Sequence, residues 1–285
     1  MAIDGTQVRK AGRYQVSADH DEIIRDMLVI AALDGKAEKK IKIGLIIGII
    51  GVALTIFGIY LAAQPGGTAV VLIIGFIAAI GGFVFMGLNR GDNIEDRRYQ
   101  LLNNLLPLLA TDIDTGGFTV DLDITSPTKG SKFTHKGTRG HWNVKFFRDP
   151  WLTLSGRLMD GTRFQLVVAD LVQKRSRWKT SRSGKRKHKT KTKRGSEFHL
   201  QLRYKPERYG AVDQIGEDAA GALQLPPGMS VKRLDCAGDH FSLRVGYKGT
   251  EWTGEPDSGP HMVAMLFLGA YQVLNLGRKM QKGAA

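Results

Sequence analysis

Between Ile43 and Asn89 the chain carries no Asp, Glu, Lys or Arg. A run of 47 residues without a formal charge is far longer than a buried core helix needs. It suffices for two passes of about 20 residues each through a hydrocarbon layer about 30 Å thick. Residues 43–63 and 68–88 read as the spans. Gln64, Pro65, Gly66 and Gly67 break the run where a tight turn is needed, since proline lacks a backbone N–H and glycine reaches dihedrals closed to other residues. A charged segment precedes the first span and a second span follows it, which is not the layout of a cleaved signal peptide.

Flanking charge sets an expected orientation. Lys36, Lys39, Lys40 and Lys42 precede the first span, Arg90, Arg97 and Arg98 follow the second, and the turn is uncharged. The positive-inside tendency therefore places both termini in the cytoplasm, with the protein integral to a cell membrane, of the bacterial inner or plasma type. The polar side chains of the spans are only Thr55, Tyr60, Gln64 and Thr68, with no Asp, Glu, His, Lys or Arg, which argues against transport, proton relay or voltage sensing. Gly44 with Gly48, Gly58 with Ala62, and Gly75 with Ala79 give small-xxx-small spacing. Such residues admit close helix approach, within the hairpin or, alternatively, against another membrane protein or a second copy.

The remainder reads as a membrane-anchored α+β protein. Residues 1–42 form an N-terminal segment in which Ile23, Ile24, Met27, Leu28 and Ala31 recur at helical spacing, so an amphipathic helix is expected over 22–33. Asp19 suits its N-cap, with Glu22 three positions on. A membrane-proximal helix is expected over 94–110, within a segment 89–110 and interrupted or kinked at Pro107. Residues 111–285 are enough for one cytoplasmic domain. Phe118 to Ile124, Phe198 to Tyr204 and Phe241 to Tyr247 alternate apolar with polar, as half-buried strands do. Asp160 and Gly161 suggest a hairpin turn between strands 151–159 and 162–172. Residues 262–276 suit a core helix. These elements predict an antiparallel sheet flanked by helices. The single cysteine, Cys236, fits a reducing compartment.

Charge is concentrated. Twelve of the 41 Lys and Arg residues lie in the window 174–194, which holds no acid, against a net charge of +14 for the whole chain. They are Lys174, Arg175, Arg177, Lys179, Arg182, Lys185, Arg186, Lys187, Lys189, Lys191, Lys193 and Arg194. Lysine holds alternate positions from 185 to 193, so in a strand all five would line one face. With Ser181, Arg182, Ser183 and Gly184 as a turn, the window predicts a long basic β-hairpin. The row holds odd numbers while the apolar residues of 198–204 hold even ones, so it would continue the solvent face unless Gly195 forms a bulge. Such a ribbon suits a polyanion: anionic lipid headgroups, nucleic acid or an acidic protein. A mobile, solvated loop would show the same composition. Trp178 is the only aromatic in the window, which speaks against base stacking.

Catalytic and metal signals are weak. Asp112, Asp114, Asp121 and Asp123 do not follow a calcium-loop pattern. His135, His141, His199 and His240 lack ligand spacing. Ser126 and Lys129 fit S-x-x-K, but Pro127 and Gly130 suggest a turn and not the helix start that acyl-enzyme chemistry needs. No phosphate-loop or dinucleotide fingerprint occurs. No metal or cofactor is expected. The sequence thus points to a membrane-anchored, non-enzymatic protein presenting a basic ribbon to a polyanion. The alternative is a structural or scaffold subunit of a membrane complex, assembled through the hairpin.

Overall fold

The computed structural model describes residues 3–210, 212–215, 219, 221, 223–249 and 258–283. They form two compact units, one of Leu28–Asp96 and one of Met1–Met27 with Arg97–Ala285.

The first is a helical hairpin, contributed by α2 (His20–Ala62) and α3 (Val70–Asn89). Both helices are long and apolar enough to cross a membrane, by length and composition. Gly66, at φ 77°, and a Gly67 N–H donating to the Gln64 carbonyl at 2.9 Å close the turn between them. The amphipathic helix expected over 22–33 and the first span are one continuous helix. Residues 34–42 hold no proline, a lone Gly35 costs only about 1 kcal/mol in a helix, and Lys42 pairs with Glu38 one turn back at 3.7 Å. Asp19 caps the start, accepting from the Glu22 N–H at 2.7 Å. Ile23, Met27 and Ile30 are buried, whereas Leu28, expected on the same apolar face, is exposed.

The second unit is α+β, with one large antiparallel sheet and helices. Its strands are β1 (Arg13–Ala18), β2 (Ile113–Asp123), β3 (Phe133–Arg139), β4 (Trp142–Leu158), β5 (Arg163–Thr180), β6 (Arg186–Arg203), β7 (Met229–Ala237) and β8 (His240–Lys248). Their order is β1-β2-β4-β5-β6-β8-β7, with β3 added to the free edge of β4. The core face carries Val120, Leu154, Leu166, Leu200 and Leu243, all buried. Helix α4 (Arg97–Ala110) buries Leu101, Leu102, Leu105, Leu106 and Leu109, and α6 (Ser258–Gly283) buries Val263, Leu266, Ala270 and Val273. Phe164 of β5 meets Phe267 of α6 edge-on at 5.2 Å. Short α1 (Gly5–Ala11) and α5 (Pro206–Tyr209) complete the described helices of useful length.

Several elements differ from expectation, among them α1, β3 and β7, where the sequence predicted no helix or strand. Strand β1 lies in the N-terminal segment and pairs with β2, from Arg13 opposite Asp123 to Ala18 opposite Phe118. Helix α4 starts at Arg97 and runs through Pro107. Strand β4 begins nine residues before the expected 151. Its pattern is masked by a register shift between Pro150 and Leu152, which makes Trp151 the extra residue of a bulge. The bulge turns the buried set from odd numbers (Phe147, Asp149) to even ones (Leu152, Leu154), so no single period spans the strand.

Candidate functional site

Strands β5 and β6 are paired without interruption, from Arg163 opposite Arg203 to Thr180 opposite Arg186. No shift occurs at Gly195, so the parity of the buried strand carries through to the tip. The turn is closed by the Ser181 N–H donating to the Lys185 carbonyl at 2.8 Å, with Gly184 at φ 76°. Beyond Val172 the core ends and the sheet continues as an extension. Eight further residues at 3.3 Å each carry it about 26 Å onward.

Pairing divides the twelve cations between two faces. Arg175, Arg177 and Lys179 stand opposite Lys191, Lys189 and Lys187. With Lys193, opposite Gln173, they form two facing rows on the side away from the core. Arg182 and Lys185 lie at the turn. Lys174, Arg186 and Arg194 project from the other face, which continues the core side. Among the described residues, Lys187, Lys189, Lys191 and Lys193 make no ion pair with a carboxylate. His199, farther along β6 on the same face as the rows, is pushed below its ordinary value by burial and by Arg244. It therefore adds no charge near neutrality.

The extension is not a bare ribbon. Strand β4 pairs with β5 as far as Asn143 opposite Ser176, and β3 pairs with β4 as far as Arg139 opposite Trp142. Only the last residues before the turn are two-stranded. These flanking strands bring aromatic rings to the face that holds the cation rows. Arg177 lies over the Trp142 ring at 4.4 Å, Arg139 lies over Phe146 at 5.7 Å, and His135 stacks on Phe146 at 4.3 Å. Aromatic residues are thus interleaved with the cations, contrary to the inference from Trp178 alone. The signal in the sequence was the alternation of Trp142, Val144 and Phe146, thirty residues upstream of the basic window.

Within the helical hairpin, α2 buries Gly44, Gly48, Gly51 and Gly58, and α3 buries Gly75, Ala79 and Gly82. On α2 these positions, with half-buried Thr55, are separated alternately by four and three residues. A Cβ at Gly44 would lie 2.8 Å from the Met86 nitrogen, and one at Gly48 would lie 2.9 Å from the Phe83 ring. At Gly51, Gly58, Gly75 and Gly82 it would overlap backbone of the facing helix. Ala62 is exposed and takes no part. Pairwise small-xxx-small spacing missed Gly51 and Gly82. The four-three alternation of a helix seam would have found them.

Three of the four acidic residues weighed as metal ligands are otherwise engaged, and Asp112 is exposed. Asp121 accepts from Arg13, which holds its carboxyl below the ordinary value, Asp123 pairs with Lys132 at 3.0 Å, and Asp114 lies 3.8 Å from Arg157. Ser126 and Lys129 occupy a turn, with the Lys129 N–H donating to the Ser126 carbonyl. In the hairpin, carboxylate oxygens of Asp34, Glu38 and Asp96 lie within 4.8 Å of one another, but one Asp34 oxygen accepts from the Ile94 N–H.

A cavity of about 660 Å³ lies between the C-terminal end of α4, the β4–β5 turn and α6. Three of its polar groups form one cluster: the Tyr209 and Tyr271 hydroxyls both donate to Asp160. Burial is the largest influence on Asp160, but hydrogen bonds from Tyr209, Thr162 and Tyr271 outweigh it and hold the carboxyl low. Burial and Asp160 push Tyr209 up to about 12. Neither group is poised for proton transfer near neutrality.

No family model, curated protein or solved structure matches this chain.

Proposed function

We propose that this protein is membrane-anchored and non-enzymatic, and that its α+β domain presents the basic face of its sheet extension to a phosphate-bearing polyanion. The hairpin of α2 and α3 would be the anchor, and the charge flanking it would leave the domain on the cytoplasmic side. One observation carries the reading: two facing rows of cations lie on one face of a register-locked sheet, with no carboxylate among them. Like charges directly opposite on neighbouring strands are destabilising. An anion on that face would relieve the repulsion. Lysines near an anionic lipid surface contribute about 1 kcal/mol each, and duplex phosphates act through counterion release. The chemistry recognised, rows of phosphate, is common to both.

The glycines that suggested an assembly surface face the other helix of the hairpin, which supports packing of the hairpin on itself. The test uses the full chain in zwitterionic nanodiscs, with Lys185, Lys187, Lys189, Lys191 and Lys193 changed together to Gln. Binding of the parent protein to phosphatidylserine vesicles or to a duplex oligonucleotide should weaken with salt and be lost in the variant. Whichever probe is bound names the source of the phosphate. Binding unaffected by the five changes would overturn the proposal.

A further inference from the structure

The core-side face of the extension carries a second cationic feature, at right angles to the first. Lys136 of β3 stands opposite Lys145 of β4, and Lys145 stands opposite Lys174 of β5. Three lysines from three strands thus form one cross-strand ladder. Neighbouring strands are about 4.8 Å apart, so the ladder spans about 10 Å. Sequence gives no hint of it, because the three residues lie in separate segments and only Lys174 falls in the basic window.

The next ladder toward the tip is polar throughout. Thr138 stands opposite Asn143, Asn143 opposite Ser176, and Ser176 opposite Thr190. The ladder toward the core is apolar on β3, β4 and β5, with Phe133 opposite Phe147 and Phe147 opposite Val172, and ends on β6 in Arg194. Lys174 lies over the Phe147 ring, 5.6 Å from its centroid, which holds its stem against that apolar side. Between the lysine ladder and the polar one lies a cavity of about 690 Å³, whose lining includes the three lysines and the polar row but no Asp or Glu. Among the described residues none of the three lysines is paired with a carboxylate. The buried Asp149 and Asp170 lie beyond the apolar ladder and are held by Arg97, Arg98 and Lys132.

Three like charges placed directly opposite one another oppose folding of the sheet. They are accompanied by a row of hydroxyl and amide groups, and the Phe147 ring lies beneath the Lys174 ammonium. We infer that this cavity is a binding site for a compact phosphorylated group carrying two adjacent phosphates, distinct from the cation rows on the opposite face. Lysine binds phosphate as a point charge. The cavity volume lies within the range of roughly 300–1,000 Å³ usual for small ligands. A ladder about 10 Å wide matches a pyrophosphate or a bisphosphorylated headgroup better than the long phosphate track of a duplex.

The full chain in zwitterionic nanodiscs is titrated calorimetrically with inorganic pyrophosphate and, separately, mixed with vesicles containing phosphatidylinositol bisphosphate. At least one probe should bind saturably. Changing Lys136, Lys145 and Lys174 to Gln should weaken that binding at least tenfold, while the five-lysine variant of the opposite face keeps it. Pyrophosphate binding identifies a soluble ligand, and vesicle binding alone identifies a lipid headgroup; either supports the site. In the absence of anion, Lys145→Gln should melt no lower than the parent and should lose the rise in melting temperature that the bound probe produces. Failure of both probes, or equal loss in the two multiple variants, would overturn the site. Duplex or phosphatidylserine binding surviving in the ladder variant shows that the polyanion reading stands or falls separately.

Discussion

Asp149 and Asp170 stand directly opposite one another on β4 and β5, and both are excluded from solvent. Facing carboxylates repel, so this pair persists only because helix α4 begins with two arginines. Arg97 grips Asp170 with two N–H groups, and Arg98 reaches Asp149 at 2.7 Å. Lys132 adds a contact to Asp149 at 2.8 Å. Both guanidinium groups lie over the ring of Trp151, at 5.8 and 5.6 Å. The bulge that makes Trp151 the extra residue therefore places the ring under the charges. Burial pushes Asp149 above its ordinary value, against the opposing pull of Arg98 and Lys132. Charge compensation and the start of α4 are one structural unit.

Arg98→Met should be among the most damaging single changes in the domain. It leaves Asp149 buried with one partner fewer, and breaking a buried pair costs about 3–5 kcal/mol. Chemical denaturation followed by tryptophan fluorescence should show that loss. The double change Arg98→Met with Asp149→Leu should recover much of it, since apolar replacement of a whole pair is often neutral. A cost below about 1 kcal/mol for the single change would contradict the role assigned to the pair.

Asp160 gives a pH dependence with a definite sign. Its carboxyl titrates lower in the folded chain than in the unfolded one. The stability it contributes is therefore complete above the unfolded value of about 4 and is lost as pH falls through the folded one. Asp160→Asn should lower stability at pH 7 and flatten the acid limb of the stability curve below about pH 4. Denaturation midpoints collected from pH 7 to pH 2 on both proteins measure this. Parallel curves would show that the hydroxyls of Tyr209 and Tyr271 do not hold the carboxylate.

The helical hairpin should tolerate a methyl group at one glycine and reject it at another. A Cβ at Gly51 would overlap the Ala79 backbone, whereas one at Gly81 meets nothing within 4 Å. Overpacking a close interface costs about 1–3 kcal/mol. Gly51→Ala should therefore loosen the hairpin by that amount, and Gly81→Ala should leave it unchanged. Thermal unfolding in detergent, read by circular dichroism, compares the two. Equal effects would mean that the seam does not limit stability.

What the sequence reveals depends on whether a signal is carried by one segment or by several. The charge-free run, the alternation in β2, β6 and β8, and the parity of the lysine row are local, and each is readable alone. The odd-numbered row meets the even-numbered core of β6 without a break because Gly195 stays in register with Leu171. The rest needs pairing. Trp142 and Phe146 join the basic face only through the β4–β5 register, and the Lys136–Lys145–Lys174 ladder only through that register and the β3–β4 pair. Strand β4 was hidden in part because the bulge at Trp151 inverts its period. Strand β1 alternates, with Tyr14 buried and Val16 and Ala18 half-buried, but it is short and its partner β2 lies far along the chain, so only the pairing assigns it to the sheet.

The cation rows make a quantitative claim about salt. If Lys187, Lys189, Lys191 and Lys193 each neutralise one duplex phosphate, together they contribute about 3–4 to the slope of log affinity against log salt. Changing the four to Gln should weaken duplex binding and flatten the slope by that amount, because fewer counterions are released. Trp142→Ala should act differently. It removes the ring beneath Arg177 without removing charge, so it should lower affinity several-fold and leave the slope unchanged. Fluorescence anisotropy with one labelled duplex, from 50 to about 300 mM salt, separates the two behaviours. A slope unaltered by the loss of four lysines would place the phosphates elsewhere than on this face.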